Sequence, residues 1–175
     1  MRQGALAHPR HQALPQGLVG ASPERIALHH LSTHADMYGL TPKALQTAKR
    51  VMTHDTGHAG VIVVFRQFLD GVEVLDSDMK VLLDRQGKLV ALGGALHPAA
   101  VAGTAKKWGL FALTPNAAIG KSLEDLYGIK LSASSLRALT EKKSGYDLFE
   151  LAAPFKVGSS EHAFVMPARA KKVYY

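Results

Sequence analysis

The chain has 175 residues, 47% of them hydrophobic and 20% charged, the balance of an ordinary globular protein with one domain or two small ones. It contains no cysteine, which excludes disulfides and thiolate chemistry, and no apolar run approaches the roughly 20 residues that span a bilayer. Twenty-one basic residues against fourteen acidic ones give a net charge of +7, a field that suits an anionic partner without choosing its class. Part of the excess sits in Arg169, Lys171 and Lys172, as solvated basic chain ends do, so neither a nucleic acid nor a membrane is the expected partner.

From the N-terminus, residues 1–20 read as an extended arm. Arg2, His8, Pro9, Arg10, His11 and Pro15 interrupt any apolar run, and the continuous apolar centre of a signal peptide is missing. Ser22-Pro23 then reads as an N-cap with proline at the first helical position. Leu28, Leu31, Ala35 and Tyr38 fall at spacings of three and four and make one apolar stripe, and Gly39 suits the left-handed residue that closes a helix. His29 and His30 read as polar-face residues beside that stripe.

Strands are expected over Leu45–His54, His58–Leu69, Val72–Leu83 and Lys88–Gly93. Asp70-Gly71 is a strong two-residue hairpin signal, and Asp84-Arg-Gln-Gly87 suits a longer hairpin. Val72 and Val74 differ in parity from Met79, Val81 and Leu83. Since strand side chains alternate with period two, the phase is restored by one inserted residue near Asp76-Ser77-Asp78, a bulge. Residues 95–104, with Pro98 and Gly103, read as a linker.

The second half repeats the pattern. Thr114-Pro115 opens a helix, Ile119, Leu123, Leu126 and Tyr127 make its stripe, and Gly128 closes it. Strands follow over Ser134–Glu141, Tyr146–Ala152 and His162–Ala170. The expected fold class is α+β: two cystatin-like helix-on-antiparallel-sheet modules in tandem, at 21–94 and 105–175, since one helix laid across one sheet buries every stripe.

Catalytic chemistry has little to stand on. Gly120-Lys121-Ser122 has the tail of a phosphate-binding loop, but Pro115 stands where that pattern needs its first glycine. His30 and His34 share a helix face, yet Leu31 follows His30 where a zinc protease has its glutamate, and no third ligand is evident. No serine lies in a Gly-x-Ser-x-Gly elbow. The carboxylate pairs Asp76/Asp78 and Glu124/Asp125 sit where solvated charge sits. No catalytic residue, metal ligand or cofactor is expected, and the residues that touch a partner are not assigned.

Phe65-Arg66-Gln67, followed by Asp70-Gly71 and Val72-Glu73-Val74, then Leu83-Asp84 and Gly87-Lys88-Leu89-Val90, resembles the fungalysin/thermolysin propeptide family, over roughly Ser22 to Gly94. The second half resembles a companion propeptide module more loosely, through Leu113-Thr-Pro-Asn-Ala-Ala118. The resemblance implies a non-catalytic pro-segment of a secreted zinc metalloprotease, secreted or periplasmic, that inhibits its catalytic domain and assists its folding in cis or, after cleavage, in trans. The chain has no His-Glu-x-x-His, so the alternative is a free-standing cystatin-like protein-binding module with no protease partner. The motif residues Phe65, Arg66, Gln67, Gly71, Val74 and Gly87 read as determinants of fold: a buried amide, two turns and a core valine.

Overall fold

In the computed structural model, which describes residues 14–104 and 111–174, the Ser22 hydroxyl accepts the Arg25 N–H and opens helix α1, Pro23–Thr33. That bond satisfies one of the donors a helix start leaves unpaired. After Thr33 the chain tightens into a 3₁₀ turn, Ala35–Tyr38, and leaves it through Gly39 at φ 65°. A second capped turn follows at once. Thr41 accepts the Ala44 N–H and starts the four-residue helix α2, Pro42–Leu45. Thr41-Pro42 is the same cap-and-proline signal as Ser22-Pro23, and it displaces the strand expected from Leu45 to a start at Ala48.

The strands of this part are β1 (Ala48–Asp55), β2 (Val61–Leu69), β3 (Val72–Val74), β4 (Met79–Leu83) and β5 (Leu89–Gly94). β2 is the axis of an antiparallel sheet, with β1 on one side and β4 then β5 on the other, and β3 pairs with its C-terminal end. The Asp70-Gly71 turn has both residues at positive φ, 50° and 83°, the geometry that joins strands with their natural twist.

The expected single strand Val72–Leu83 with a one-residue bulge is corrected. Phe68 pairs with Glu73 but Phe65 pairs with Met79, so three steps along β2 answer six along the partner. Three residues are extra. Any odd number restores the phase, and that is why Val74 and Met79 both end up buried. The insertion is large enough to divide the segment into β3 and β4.

The core of this part is made by Ile26, Ala27 and Leu31 of α1 against Val63, Phe65, Met79, Val81, Leu83 and Leu92. Burying a side chain of this size contributes about 1.5–3 kcal/mol, so these positions dominate its stability. The expected stripe on α1 is corrected in two places: Leu28 is 38% exposed, whereas His30 is 7% exposed. The buried line runs along Ala27 and Leu31, with Leu28 on its outer flank and His30 on its inner one.

Residues 110–172 form a second compact unit. Thr114 caps helix α3, Pro115–Tyr127, which ends at Gly128 (φ 68°). β6 (Leu136–Lys143) and β7 (Tyr146–Leu151) pair antiparallel, a short hairpin follows as β8 (Phe155–Val157) and β9 (Ser160–His162), and β10 (Ala168–Ala170) returns to β7. The expected strand His162–Ala170 is therefore corrected into the end of a hairpin and a separate strand. Ile119, Leu136 and Phe149 form the core, with Leu123, Leu151 and Phe164 against it. Leu126 and Tyr127 are 73% and 70% exposed, so the stripe expected on this helix reaches only to Leu123.

The last strand, β11 (Val173–Tyr174), belongs to the first unit and pairs parallel with β3. Leu75 donates its N–H to the Tyr174 carbonyl at 2.7 Å, and Tyr174 packs on the small cluster of Leu69, Val74 and Ala100. The first unit is thus built from two pieces of chain. The architecture is α+β, and no described helix is long and apolar enough to cross a membrane.

Candidate functional site

Gln67 is fully buried at the C-terminal half of β2. Its side-chain amide donates to Thr47 Oγ1 and to the His97 carbonyl, both at 3.1 Å, and its side-chain oxygen accepts the His97 N–H at 2.6 Å. Its backbone N–H donates to Ser77 Oγ at 3.0 Å, and the Ser77 hydroxyl donates in turn to the Val74 carbonyl at 2.6 Å. Thr47 Oγ1 in turn donates to the Ala44 carbonyl at 2.7 Å. One side chain therefore joins β2 to the end of α2 and to the segment after β5, and Ser77 stands in for the ladder bonds that the three-residue insertion removes. Among the described residues no buried side-chain nitrogen or oxygen is left without a partner, which is what makes a buried polar network stabilising instead of costly.

The other motif residues lie in separate places. Phe65 shares the inner face of β2 with Gln67 and is buried in the main core. Arg66 points to the opposite face, where its guanidinium meets the Asp78 carboxylate and, at 3.4 Å, Glu73. Gly71 is in the β2–β3 turn, and Val74 is in the small cluster that Tyr174 covers.

Gly87 is at the other end of the sheet, in the β4–β5 turn, at φ 77°. A Cβ there would come within 2.8 Å of Leu14 and 3.1 Å of Ile26, so the turn packs directly on the helix layer. Its carbonyl accepts Nε2–H of His30 at 3.1 Å. The bond requires the proton on Nε2, and burial holds the His30 pKa below its ordinary value; the Gly87 bond opposes that shift, and nearby His29 and His34 add to it. His34 Nδ1 donates to the His30 carbonyl at 2.8 Å. The two histidines that share a helix face thus have ring nitrogens committed to backbone carbonyls. Among the described residues no group of three His, Cys, Asp or Glu is placed to hold a metal ion. Of the carboxylates, Asp78 faces Arg66, Glu124 lies 3.6 Å from Lys130 and Asp125 3.5 Å from Lys121.

The described residues of the first unit line concavities of two kinds. A cleft of about 520 Å³ is walled by Leu14, Leu18, Ile26, Leu83 and the ion pair of Asp55 with Arg85. That pair, with the Gly57 N–H, holds the Asp55 carboxyl below the usual range. A shallower apolar groove of about 330 Å³ is lined by Leu28, Ala35, Leu40, Pro42 and Leu45, with Asp36. Thr47, Ser77 and His97, the partners of Gln67, carry no motif of their own, and only the parity break at 76–78 pointed toward one of them.

No curated protein matches the chain. The stretch that does match a known family takes in most of β1, all of β2 to β5 and the two residues beyond, and includes every motif residue above. It leaves out α1 and the second unit, and covers just over a quarter of the sequence. Residues 50–96 of this chain match the family model of the Fungalysin/Thermolysin Propeptide Motif.

Proposed function

We propose that the chain is a pro-segment of a secreted zinc metalloprotease, acting as an inhibitor of its catalytic domain and as an assistant to that domain's folding, and that it is not itself catalytic. The observation that carries this reading is the family match over residues 50–96, laid on a sheet whose motif residues are spent on packing, turns and a closed hydrogen-bond network. A pro-segment needs such a rigid platform more than it needs reactive groups. While it is covalently joined to its target, a high effective concentration keeps even a modest interface closed, and cleavage removes that advantage.

On this reading Phe65, Arg66, Gln67, Gly71, Val74 and Gly87 hold the platform in shape, and the two units are cystatin-like modules in tandem. The protein works outside the cytoplasm, in the periplasm or beyond. The test is refolding: a denatured zinc metalloprotease catalytic domain encoded beside this chain regains activity in higher yield when the chain is added. Unchanged yields across such proteases would sink the proposal.

A second reading is a free-standing cystatin-like binding module acting in trans. It is favoured by the exposed edge strand β1, which offers a docking surface that needs no covalent tether. A gene neighbourhood with no metalloprotease reading frame would select it.

A further inference from the structure

β3 is a three-residue strand near the margin of its sheet, joined to β2 through the pairs Phe68↔Glu73 and Leu69↔Val72. Its other side is filled by β11, with Val173 opposite Glu73 and Tyr174 opposite Val74. The filling runs past the strand, since the Leu75 N–H bonds to the Tyr174 carbonyl. Leu69, Val74 and Ala100 are each no more than 2% exposed, and the partly buried Tyr174 packs on them. The edge therefore works as a strand-acceptor site. Main-chain bonds hold an extended segment there, and an apolar seat receives a tyrosine ring, the division of labour general to strand addition.

The segment seated in that site is the covalent continuation of the other unit. β10 ends at Ala170 and β11 begins at Val173, so Lys171 and Lys172 alone lie between them. Both lysines belong to the second unit, where they lie over the rings of Tyr146 and Phe111 at 5.4 and 5.3 Å. Val173 and Tyr174 belong to the first. Two residues of strand and one ring are a small hold, of the kind that opens locally while the rest of a unit stays folded. A hinge of two residues also has little length for folding back, and short hinges favour exchange of an element between copies. The occupant is fixed by the fit already present. The site takes Val-Tyr in parallel register, and a second copy of the chain carries that same segment. Each copy supplies both the donor strand and the acceptor edge, so two copies satisfy each other and the pair closes.

We propose that β11 exchanges between copies: two chains pair by each laying its Val173–Tyr174 on the β3 edge of the other, and the same segment closes that edge in the monomer. The contacts made by β11 are the same in both forms, so protein concentration sets the balance between them. This goes beyond the pro-segment reading and holds whether or not the chain has a protease partner.

The test follows the full chain from micromolar to millimolar concentration by size-exclusion chromatography with light scattering, and measures hydrogen exchange at the Leu75 amide in each species. The expected result is a dimer whose share rises with concentration and whose Leu75 amide is as protected as in the monomer. Tyr174→Ser, which removes the seated ring, is expected to abolish the dimer and to speed Leu75 exchange several-fold. A short Gly-Ser insertion between Lys172 and Val173 leaves β11 itself unchanged and lengthens the hinge. It is expected to return the chain to monomer with Leu75 still protected, and it decides the matter if Tyr174→Ser does not fold. A chain that is monomeric at every concentration, or a dimer equally abundant in either variant, would overturn the proposal. So would a dimer whose Leu75 amide is unprotected. Uptake of a capped Lys-Val-Tyr peptide by Tyr174→Ser, with the unaltered chain monomeric throughout, would put a foreign segment in place of the second copy and overturn it as well.

Discussion

The side-chain oxygen of Gln67 accepts the backbone N–H of His97 at 2.6 Å while its amide nitrogen donates to the His97 carbonyl at 3.1 Å. A glutamine side chain thereby pairs with both backbone groups of a residue thirty positions away, as a residue on a neighbouring strand would. The contact holds the segment after β5 against the sheet, and it does so inside the core, where an unpaired amide would be costly.

Gln67→Ala is expected to destabilise the first unit by about 2–4 kcal/mol, since it strands the His97 N–H and carbonyl and leaves a void. Gln67→Glu should be no milder, because a buried carboxylate cannot donate to the His97 carbonyl. Urea denaturation followed by far-UV circular dichroism measures both.

Ser77→Ala removes the acceptor of the Gln67 N–H and the donor to the Val74 carbonyl. A loss of about 1–3 kcal/mol is expected. Asp76→Ala, one residue away, exposed but at φ 54°, should keep that hydroxyl network intact. Comparing their denaturation midpoints separates the hydroxyl from the local backbone.

Gly87→Ala places a methyl group against Leu14 and Ile26 at a residue with φ 77°. Strain and crowding together are expected to cost about 1–3 kcal/mol. A Leu14→Ala background, which removes the nearer of the two contacts, should recover part of the loss in the same denaturation measurement.

His30 gives the first unit a pH dependence of predictable sign. Its folded pKa lies below the ordinary value of about 6.5 because burial disfavours the charged ring. Between those two values the unfolded chain binds more protons than the folded one, so stability falls as pH drops through that window and is flat above it. His30→Gln, which can still donate to the Gly87 carbonyl, should flatten this part of the stability–pH curve. Chemical denaturation of both proteins across mildly acid pH provides the comparison.

Ile119→Ala is expected to cost the second unit about 2–5 kcal/mol, whereas Leu126→Lys should change its stability by less than about 0.5 kcal/mol. Both positions belong to the same stripe in the sequence, and only the first is buried. Thermal melts of the two variants test how far the buried face of α3 extends.

What the sequence made legible was local. Ser22-Pro23, Thr114-Pro115, Asp70-Gly71 and Asp84 to Gly87 each act within a few residues, and each forms the cap or turn its chemistry implies. The parity of Val72 and Val74 against Met79 pointed to an insertion, because alternation is a local rule; its length depended on where Ser77 could reach Gln67. The partners of Gln67 were not legible, since Thr47 and His97 are brought to it from segments with no shared pattern. His30 was assigned to the polar face by residue type, and only its bond to Gly87 makes its burial tolerable. The strand Val173–Tyr174 was hidden for a similar reason: two residues make no periodic signal, and their place is set by the open edge of β3.

Inhibition is tested most directly by following peptide hydrolysis by the zinc metalloprotease catalytic domain encoded beside this chain as the purified chain is added in increasing amounts. A pro-segment gives a saturable fall in rate, relieved once the protease has cleaved the chain. A rate that stays constant at every concentration of intact chain would contradict it.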